Sequence, residues 1–468
     1  MVQQQKVPET AAARSMQVMH PDAAGIDIGS ESHWVAVAAD RAAEPVREFG
    51  SFTGDLEKLA DWLKSCGVTT VAMESTGVYW IPLYDVLEER GFEVLLVNAS
   101  HVHNVPGRKS DVKDCQWLQR LHSFGLLRGS FRPTQEFLEL RTYMRQRERL
   151  VRDAARYVQH MQKELTEMNL QLHHVVSDLT GVTGMGIVHA IVAGERDGYK
   201  LAELRDSHCK QPKERIAAAL QGTFKTEHLF VLEQALSAYE HQHRMLRQCD
   251  ERIKEKLAVL EQTACAKLDP SALEKLEPCP PPRHSSPKGN QPRFEIQSPL
   301  HRICGSIDVT QIQGFAPATA LNLIAEVGTD MSRWPTEKHF ASWLNLAPGS
   351  HITGGKSLSG RRGPSRNRGG LILRQAAVSV GRTQTALGSF YRRIAARGPG
   401  GKAVVATARK MAVFFYRALK HGRPFLEGSL ASYEQQYEAR KLSQLRKQAA
   451  ALGYQIQPAQ PEAPAGAN

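Results

Sequence analysis

The sequence predicts a mixed α/β domain near the N-terminus, a long helical arm behind it, and a mainly helical C-terminal domain. Three observations predict this. Short β-rich runs alternate with amphipathic helical patterns from residue 23 to about 126. A charged stretch from 134 to 178 then runs without Gly or Pro, and a Pro/Ser-rich segment at 277–299 separates it from apolar turn-and-helix patterns beyond. The expected organisation is therefore a flexible leader at 1–20, an α/β domain at 21–130, a helical or coiled-coil arm at 131–276, a linker at 277–299, a C-terminal domain at 300–430, and a helical extension with a disordered tail at 431–468.

The first element is AAGIDIGSESHWVAVA, residues 23–38, which reads as a tight β-hairpin with Asp27 on its first strand. An ionised carboxylate on a core strand is costly unless a partner or a metal compensates it. REFGSFT follows as a third strand. In DLEKLADWLKSCG, Leu56, Leu59, Ala60 and Leu63 share one helical face. TTVAMEST is a strand, VYWIPLYDVLEERG a helix ending at a glycine, and EVLLVNAS another strand, so the sheet is mixed. Glu74 lies near the end of TTVAMEST, and Asp111 and Asp114 open the helix DVKDCQWLQRLH, where positions 111, 114, 118 and 121 share a face.

Each of these acids has an ordinary reading alone: Asp111 as a helix cap, Asp114 as a first-turn charge, Glu74 as a solvated strand end. Together, Asp27, Glu74, Asp111 and Asp114 would meet at one edge of the domain, where mutual repulsion calls for divalent cations. Oxygen-only ligands suit Mg²⁺ or Mn²⁺.

Apolar residues from Leu138 to Leu172 recur in an irregular heptad, which predicts one extended helix over 134–178, and HLFVLEQALSAYEHQHRMLRQCDERIKEKLAVLEQ is expected to fold back against it. In the C-terminal domain a Gly-Phe-Ala-Pro turn, Gly314 to Pro317, leads into an apolar helix; such turns serve helix packing or offer backbone N–H groups to phosphate. Residues 340–377 concentrate seven glycines with Lys356, Arg361, Arg362, Arg366, Arg368 and Arg374. Little of this window suits a core, and it reads as a polyanion contact.

The whole chain of 468 residues has 60 Lys and Arg against 48 Asp and Glu, a net charge of +12 that favours a nucleic-acid partner. The seven cysteines never occur as CxxC, which argues against a zinc module or a disulfide framework. No apolar run has the length of a membrane span, so no membrane association is expected and the chain is placed in the cytosol.

The motifs GIDIGSESHW, AMESTGVYW and GRKSDVKDCQWL, followed by IQGFAPATALNLIAEVG, LNLAPGSHITGGKSLSG and LGSFYRRIAARGPGGKAVVATARKMA, resemble in order and spacing the DEDD transposases of the "one-ten" and "eleven-eleven" insertion-sequence groups, which are RNA-guided recombinases. The resemblance spans about residues 23–430. It implies an RNase H-like (RuvC-like) N-terminal domain whose Asp27, Glu74, Asp111 and Asp114 hold Mg²⁺. It also implies double-stranded donor and target DNA, a structured noncoding guide RNA, and a homo-tetramer built as a dimer of dimers with active sites shared between subunits, in the bacterial cytoplasm beside the nucleoid. In that family a serine of the C-terminal domain attacks the DNA phosphate and forms a phosphoserine, which the opposing strand end resolves. The matching position here is Thr353, in HITGGK. Its added methyl group restricts χ1 and crowds an in-line attack. Thr353 is thus a substitute nucleophile, an inactivating change, or a sign that Ser350, Ser357 or Ser359 acts instead.

Three rivals make different demands. A RuvC-like nuclease or junction resolvase would hydrolyse DNA with water and form no covalent species. A kinase-like ATPase could use GIDIGS as a phosphate loop, but a second phosphate motif and an adenosine motif in sensible order are missing. A nucleic-acid-binding module without chemistry would leave the acids structural.

Overall fold

The computed structural model describes residues 17–98, 111–267, 278–281, 290–348, 350–354, 356–359 and 367–457. For Asp111, 350–353, 356–359, 423, 425–427 and 429 it describes the backbone alone. The chain divides into two compact units, Met1–Arg132 and Pro133–Asn468.

The first unit is built on a five-stranded sheet of β1 (Ala23–Ile28), β2 (Ser32–Ala36), β3 (Val46–Gly50), β4 (Thr70–Glu74) and β5 (Glu93–Val97), in the order β3-β2-β1-β4-β5. The first three strands form an antiparallel meander, and β4 and β5 extend it in parallel. This is an RNase H-like mixed sheet. Strand alternation sends Ala24, Ile26 and Ile28 of β1, Val35 of β2, and Val71 and Met73 of β4 into one core. Two helices close that core: α1 (Thr53–Ser65) through Leu56, Leu59 and Leu63, and α2 (Trp80–Glu89) through Leu83 and Leu87.

The opposite face of the sheet receives α3 (Asp111–Ser123). Gly25 makes this possible: a Cβ there would lie 2.2 Å from the Gln119 backbone nitrogen and 2.4 Å from the Cys115 carbonyl oxygen. The Gln119 amide donates to the Ala23 carbonyl at 3.3 Å, and His122 Nε2 meets Thr70 Oγ1 at 2.9 Å. Later residues of α3 therefore lie over earlier residues of β1 and β4. The helix runs against these strands, and its first turn sits at their C-terminal ends.

The second unit begins with α4 (Gln135–Glu167). The helix expected to reach 178 stops at Glu167, because Asn169 takes a left-handed conformation (φ 56°) and Leu170 N–H turns back to the Leu165 carbonyl. The short helices α5 (Val182–Val192), α6 (Gly198–Glu203) and α7 (Lys213–Ala219) follow, packing Ile187, Ile191, Leu201 and Ile216 onto Met161 and Leu165. The chain then returns along α8 (Thr226–Ala266). Contacts of Glu139 with Lys256, Arg147 with Asp250 and Glu164 with His228 show α4 and α8 lying antiparallel, as the heptad pattern anticipated.

Helix α9 (Gln297–Ile303) begins inside the segment read as a linker, with Gln297 and Leu300 buried. Beyond it come α10 (Pro317–Val327), α11 (Glu337–Trp343), a hairpin of β6 (Ser350–Thr353) and β7 (Lys356–Ser359), α12 (Arg368–Gly381), α13 (Ala386–Ala395), α14 (Gly400–His421) and α15 (Arg423–Ala451). Their core centres on Phe340, Phe415 and Tyr416, whose hydroxyl donates to the Trp334 carbonyl at 2.7 Å. One expectation is corrected here. The Gly/Arg-rich window 340–377 supplies core after all: Phe340, Leu344, Leu373 and Ala377 are fully buried, because its two ends are amphipathic helices flanking the hairpin. Among the described residues, no helix is long and apolar enough to cross a membrane.

Candidate functional site

The C-terminal edge of β1 and β4 gathers acids. The parallel register pairs Ala23–Ile26 with Thr70–Met73, so Asp27 and Glu74 come next in step on neighbouring strands, about 4.8 Å apart as strands go. Both belong to the face that α3 covers, since Gly25 lies under Cys115 and Ala72 packs with Leu118, each two residues before its acid. Asp27 is half-buried and stands opposite Trp34 of β2, whereas Glu74 is buried and accepts a hydrogen bond from Thr76 Oγ1 at 3.5 Å.

Helix α3 delivers the other two acids to the same edge. Asp111 is its first residue, described by its backbone, and Asp114 is half-buried in its first turn. The stripe buried against the sheet is Cys115, Leu118 and His122, rather than the 111/114/118/121 line expected from spacing; Asp114 and Leu121 flank it. The reason is again Gly25, which lets the helix backbone settle directly over β1 at Cys115. Burial pushes the Cys115 thiol up to about 12, and the negative charges of Asp27 and Asp114 add to the rise. Both carboxylates therefore lie close enough to act on one sulfur.

The donors at this edge are carboxylates, a set that fits a hard, oxygen-seeking ion such as Mg²⁺ or Mn²⁺.

In the second unit, the position expected to carry the nucleophile is the last residue of β6. The register pairs Thr353 with Lys356, and Gly354, next after Thr353, takes φ 56°. Ser350 pairs with Ser359 and Ser357 with Ile352, so the three alternative serines occupy the alternate register positions from Thr353. A β-hairpin was not expected here from sequence, where the window read only as a polyanion contact. Of the six cations assigned to nucleic acid, Arg361, Arg362 and Arg366 lie outside the described residues, and Lys356 is described by its backbone. Arg368 pairs with Glu148 at 2.6 Å, and the Arg374 guanidinium donates to the Asn345 carbonyl at 2.9 Å, so both make contacts within the second unit.

One cluster escaped sequence reasoning. Glu164 and Glu167 of α4 and His228 of α8 bring their ligating atoms within 4.8 Å of one another, a group that can hold a metal ion. His228 Nδ1 lies 2.8 Å from Glu164 and 3.1 Å from Glu167. Lys163 already lies 3.1 Å and 3.2 Å from the same two carboxylates. Burial pushes the Glu164 carboxyl up, but hydrogen bonds from His228 and Lys163 outweigh it and hold it below the ordinary range. With an ammonium in place, the arrangement is a compensated ion-pair cluster joining the two long helices. Sixty-four residues separate its His from its first Glu, and no local spacing signals such a meeting.

A family model for transposases of the IS110 DEDD type matches residues 24–170, and a second, for the transposase IS116/IS110/IS902 family, matches residues 308–392. The first match contains Asp27, Glu74, Asp111 and Asp114, and the second contains Thr353. No curated protein matches the chain.

Proposed function

Because the chain belongs by both its N-terminal and its C-terminal domain to the IS110 transposases, enzymes that cut and rejoin DNA, we propose that Asp27, Glu74, Asp111 and Asp114 are its metal-binding catalytic acids and Thr353 its covalent nucleophile. The observation that carries this reading is the edge itself. Asp27, one residue before the end of β1, and Glu74, the last of β4, lie in step on neighbouring parallel strands, and α3 begins there with Asp111 and Asp114. A divalent ion held there would polarise a DNA phosphate and stabilise the departing oxygen.

The chain's own residues have three tasks. The buried strand ends fix Asp27 and Glu74 so that little reorganisation accompanies ligand binding. The close packing of α3 on Gly25 holds Asp114 in place relative to Asp27. Thr353 Oγ1 gives up its proton and forms a bond to phosphorus as the P–O bond of the scissile link breaks, and the released strand end takes a proton. The hydroxyl of the opposing strand end then displaces Thr353 and regenerates it.

A structured guide RNA selects the two DNA duplexes, and the working assembly is a tetramer. The resemblance of the motifs supports both statements, and the net charge of +12 supports a nucleic-acid partner.

The test is to incubate the protein with Mg²⁺, donor and target DNA, and RNA from the element's end, then trap and map the protein–DNA species. A phosphoester on Thr353, absent in Asp27→Asn and after chelation by EDTA, is the expected result. Cleavage without any covalent protein would replace this mechanism with hydrolysis, and a phosphoester on Ser350, Ser357 or Ser359 would remove Thr353 from its role.

A further inference from the structure

Helices α13, α14 and α15 wall a groove of about 510 Å³ in the second unit, a volume in the range of small-ligand pockets. Its lining combines ring faces with cations: Phe390 from α13, Arg409, Lys410, Phe414 and Arg417 from α14, and Tyr433 from α15. Lys410 Nζ lies 4.3 Å from the centre of the Tyr433 ring and 4.8 Å from that of Phe390. The Arg393 guanidinium stands 5.5 Å over Phe390, and Phe414 meets Tyr433 edge-on at 5.8 Å.

The charge in this groove is lopsided. Arg417 is paired with Glu337 at 2.9 Å. The charged groups acting on half-buried Lys410 are themselves cations, Arg393 and Arg440, and burial together with these neighbours holds its ammonium below the ordinary lysine range. A half-buried ammonium with the exposed guanidiniums of Arg393 and Arg440 beside it is unfavourable in the free protein, and an anion relieves it. Ring faces beside the cations add a second requirement: the ligand should carry a flat π-system next to its negative charge. An acidic peptide meets the first requirement and not the second. A nucleotide whose base is unstacked meets both, whereas a duplex keeps its base faces covered.

We propose that the groove between α13, α14 and α15 takes an unpaired nucleotide of a nucleic-acid strand, with its base against Tyr433 and Phe390 and its phosphate on Lys410 and Arg409. The site rests on the reading of the chain as a nucleic-acid enzyme and adds to it a position that distinguishes single strands from duplex. Unpaired RNA and unpaired DNA share the recognised chemistry.

Fluorescence anisotropy on the full chain, with labelled RNA and DNA single strands of about 12 nucleotides and a blunt duplex of equal length, tests it. Tyr433→Ala should weaken single-strand binding by about tenfold or more while leaving duplex binding within about twofold, and Tyr433→Phe should keep both. Lys410→Gln should lower the slope of log affinity against log salt by about one. Whichever strand type loses more to Tyr433→Ala identifies the source of the nucleotide. Photocrosslinking of 4-thiouracil-bearing strands to the unaltered protein should map to the peptides holding Phe390 or Tyr433, a readout that does not depend on how the variants fold.

Single-strand affinity unchanged in both Tyr433→Ala and Lys410→Gln, equal loss on duplex, or crosslinks confined to other peptides would overturn the groove assignment alone. An unaltered chain that binds no nucleic acid would overturn the functional reading along with it.

Discussion

Replacing Gly25 by alanine tests whether the acidic edge depends on the seating of α3. The new Cβ would stand 2.2 Å from the Gln119 nitrogen, 2.4 Å from the Cys115 carbonyl oxygen and 2.8 Å from Gln119 Cα. All three are backbone atoms of a helix, so no side chain can rotate away. Ordinary contact begins near 3.4 Å, so α3 must lift by about 1 Å over β1. Overpacking of that kind costs about 1–3 kcal/mol. The same displacement carries Asp114 away from Asp27, and an error of about 1 Å in a catalytic constellation costs on the order of 100-fold in rate.

The assay compares Mg²⁺-dependent strand cleavage and thermal unfolding of Gly25→Ala with those of Gly54→Ala, a first-turn position of α1 where an added Cβ meets nothing within 4 Å. Gly54→Ala should keep full activity and melt at or slightly above the unaltered protein. A folded Gly25→Ala protein that cleaves DNA within a few-fold of the unaltered rate would refute the dependence of the edge on this contact.

Acid should weaken the same layer through His122. Burial first, and then the nearby charge of His20, lower its pKa from 6.5 to about 4. The unfolded chain therefore binds the proton that the fold rejects. The stabilisation is complete above pH 6.5 and is lost as pH falls toward 4, by roughly 3 kcal/mol for a shift of about 2.5 units. His122→Asn, which keeps a partner for Thr70, should flatten that part of the stability–pH curve, and an unchanged slope would argue against the assignment. Between α4 and α8, Arg147 holds Asp250 through two nitrogens at 2.6 Å and 3.3 Å. Asp250→Ala strands the buried guanidinium and should cost about 3 kcal/mol in chemical denaturation, whereas the double change Arg147→Met/Asp250→Leu should cost less than either single change. In trapping experiments Thr353→Ser should retain the covalent species and Thr353→Ala should lose it; an adduct surviving in Thr353→Ala would exclude that hydroxyl.

Much of the first unit is written in local pattern. Alternation along β1 and β4, the single-faced leucines of α1 and the turn at Gly29 and Ser30 are each satisfied within a few residues, and they specify strands, helices and the awkward position of Asp27. The resemblance of the motifs to IS110 transposases was likewise visible, because it depends on residue identities in order. What spacing alone misjudged was rotation and termination. The buried line of α3 is set by contact with Gly25, ninety residues upstream of Cys115, and α4 ends where Asn169 turns left-handed rather than where the heptads fade.

Three features belonged to the tertiary structure alone, for one physical reason: each joins residues far apart in sequence. The parallel register that sets Asp27 level with Glu74 depends on a crossover through α1. The meeting of Glu164 and Glu167 with His228 depends on the antiparallel seating of two long helices. The groove of Lys410, Phe390 and Tyr433 needs three helices to converge. The sequence determined which side chains carry charge, hydroxyls and ring faces, and which elements hold them. Packing between distant elements decided which of them meet.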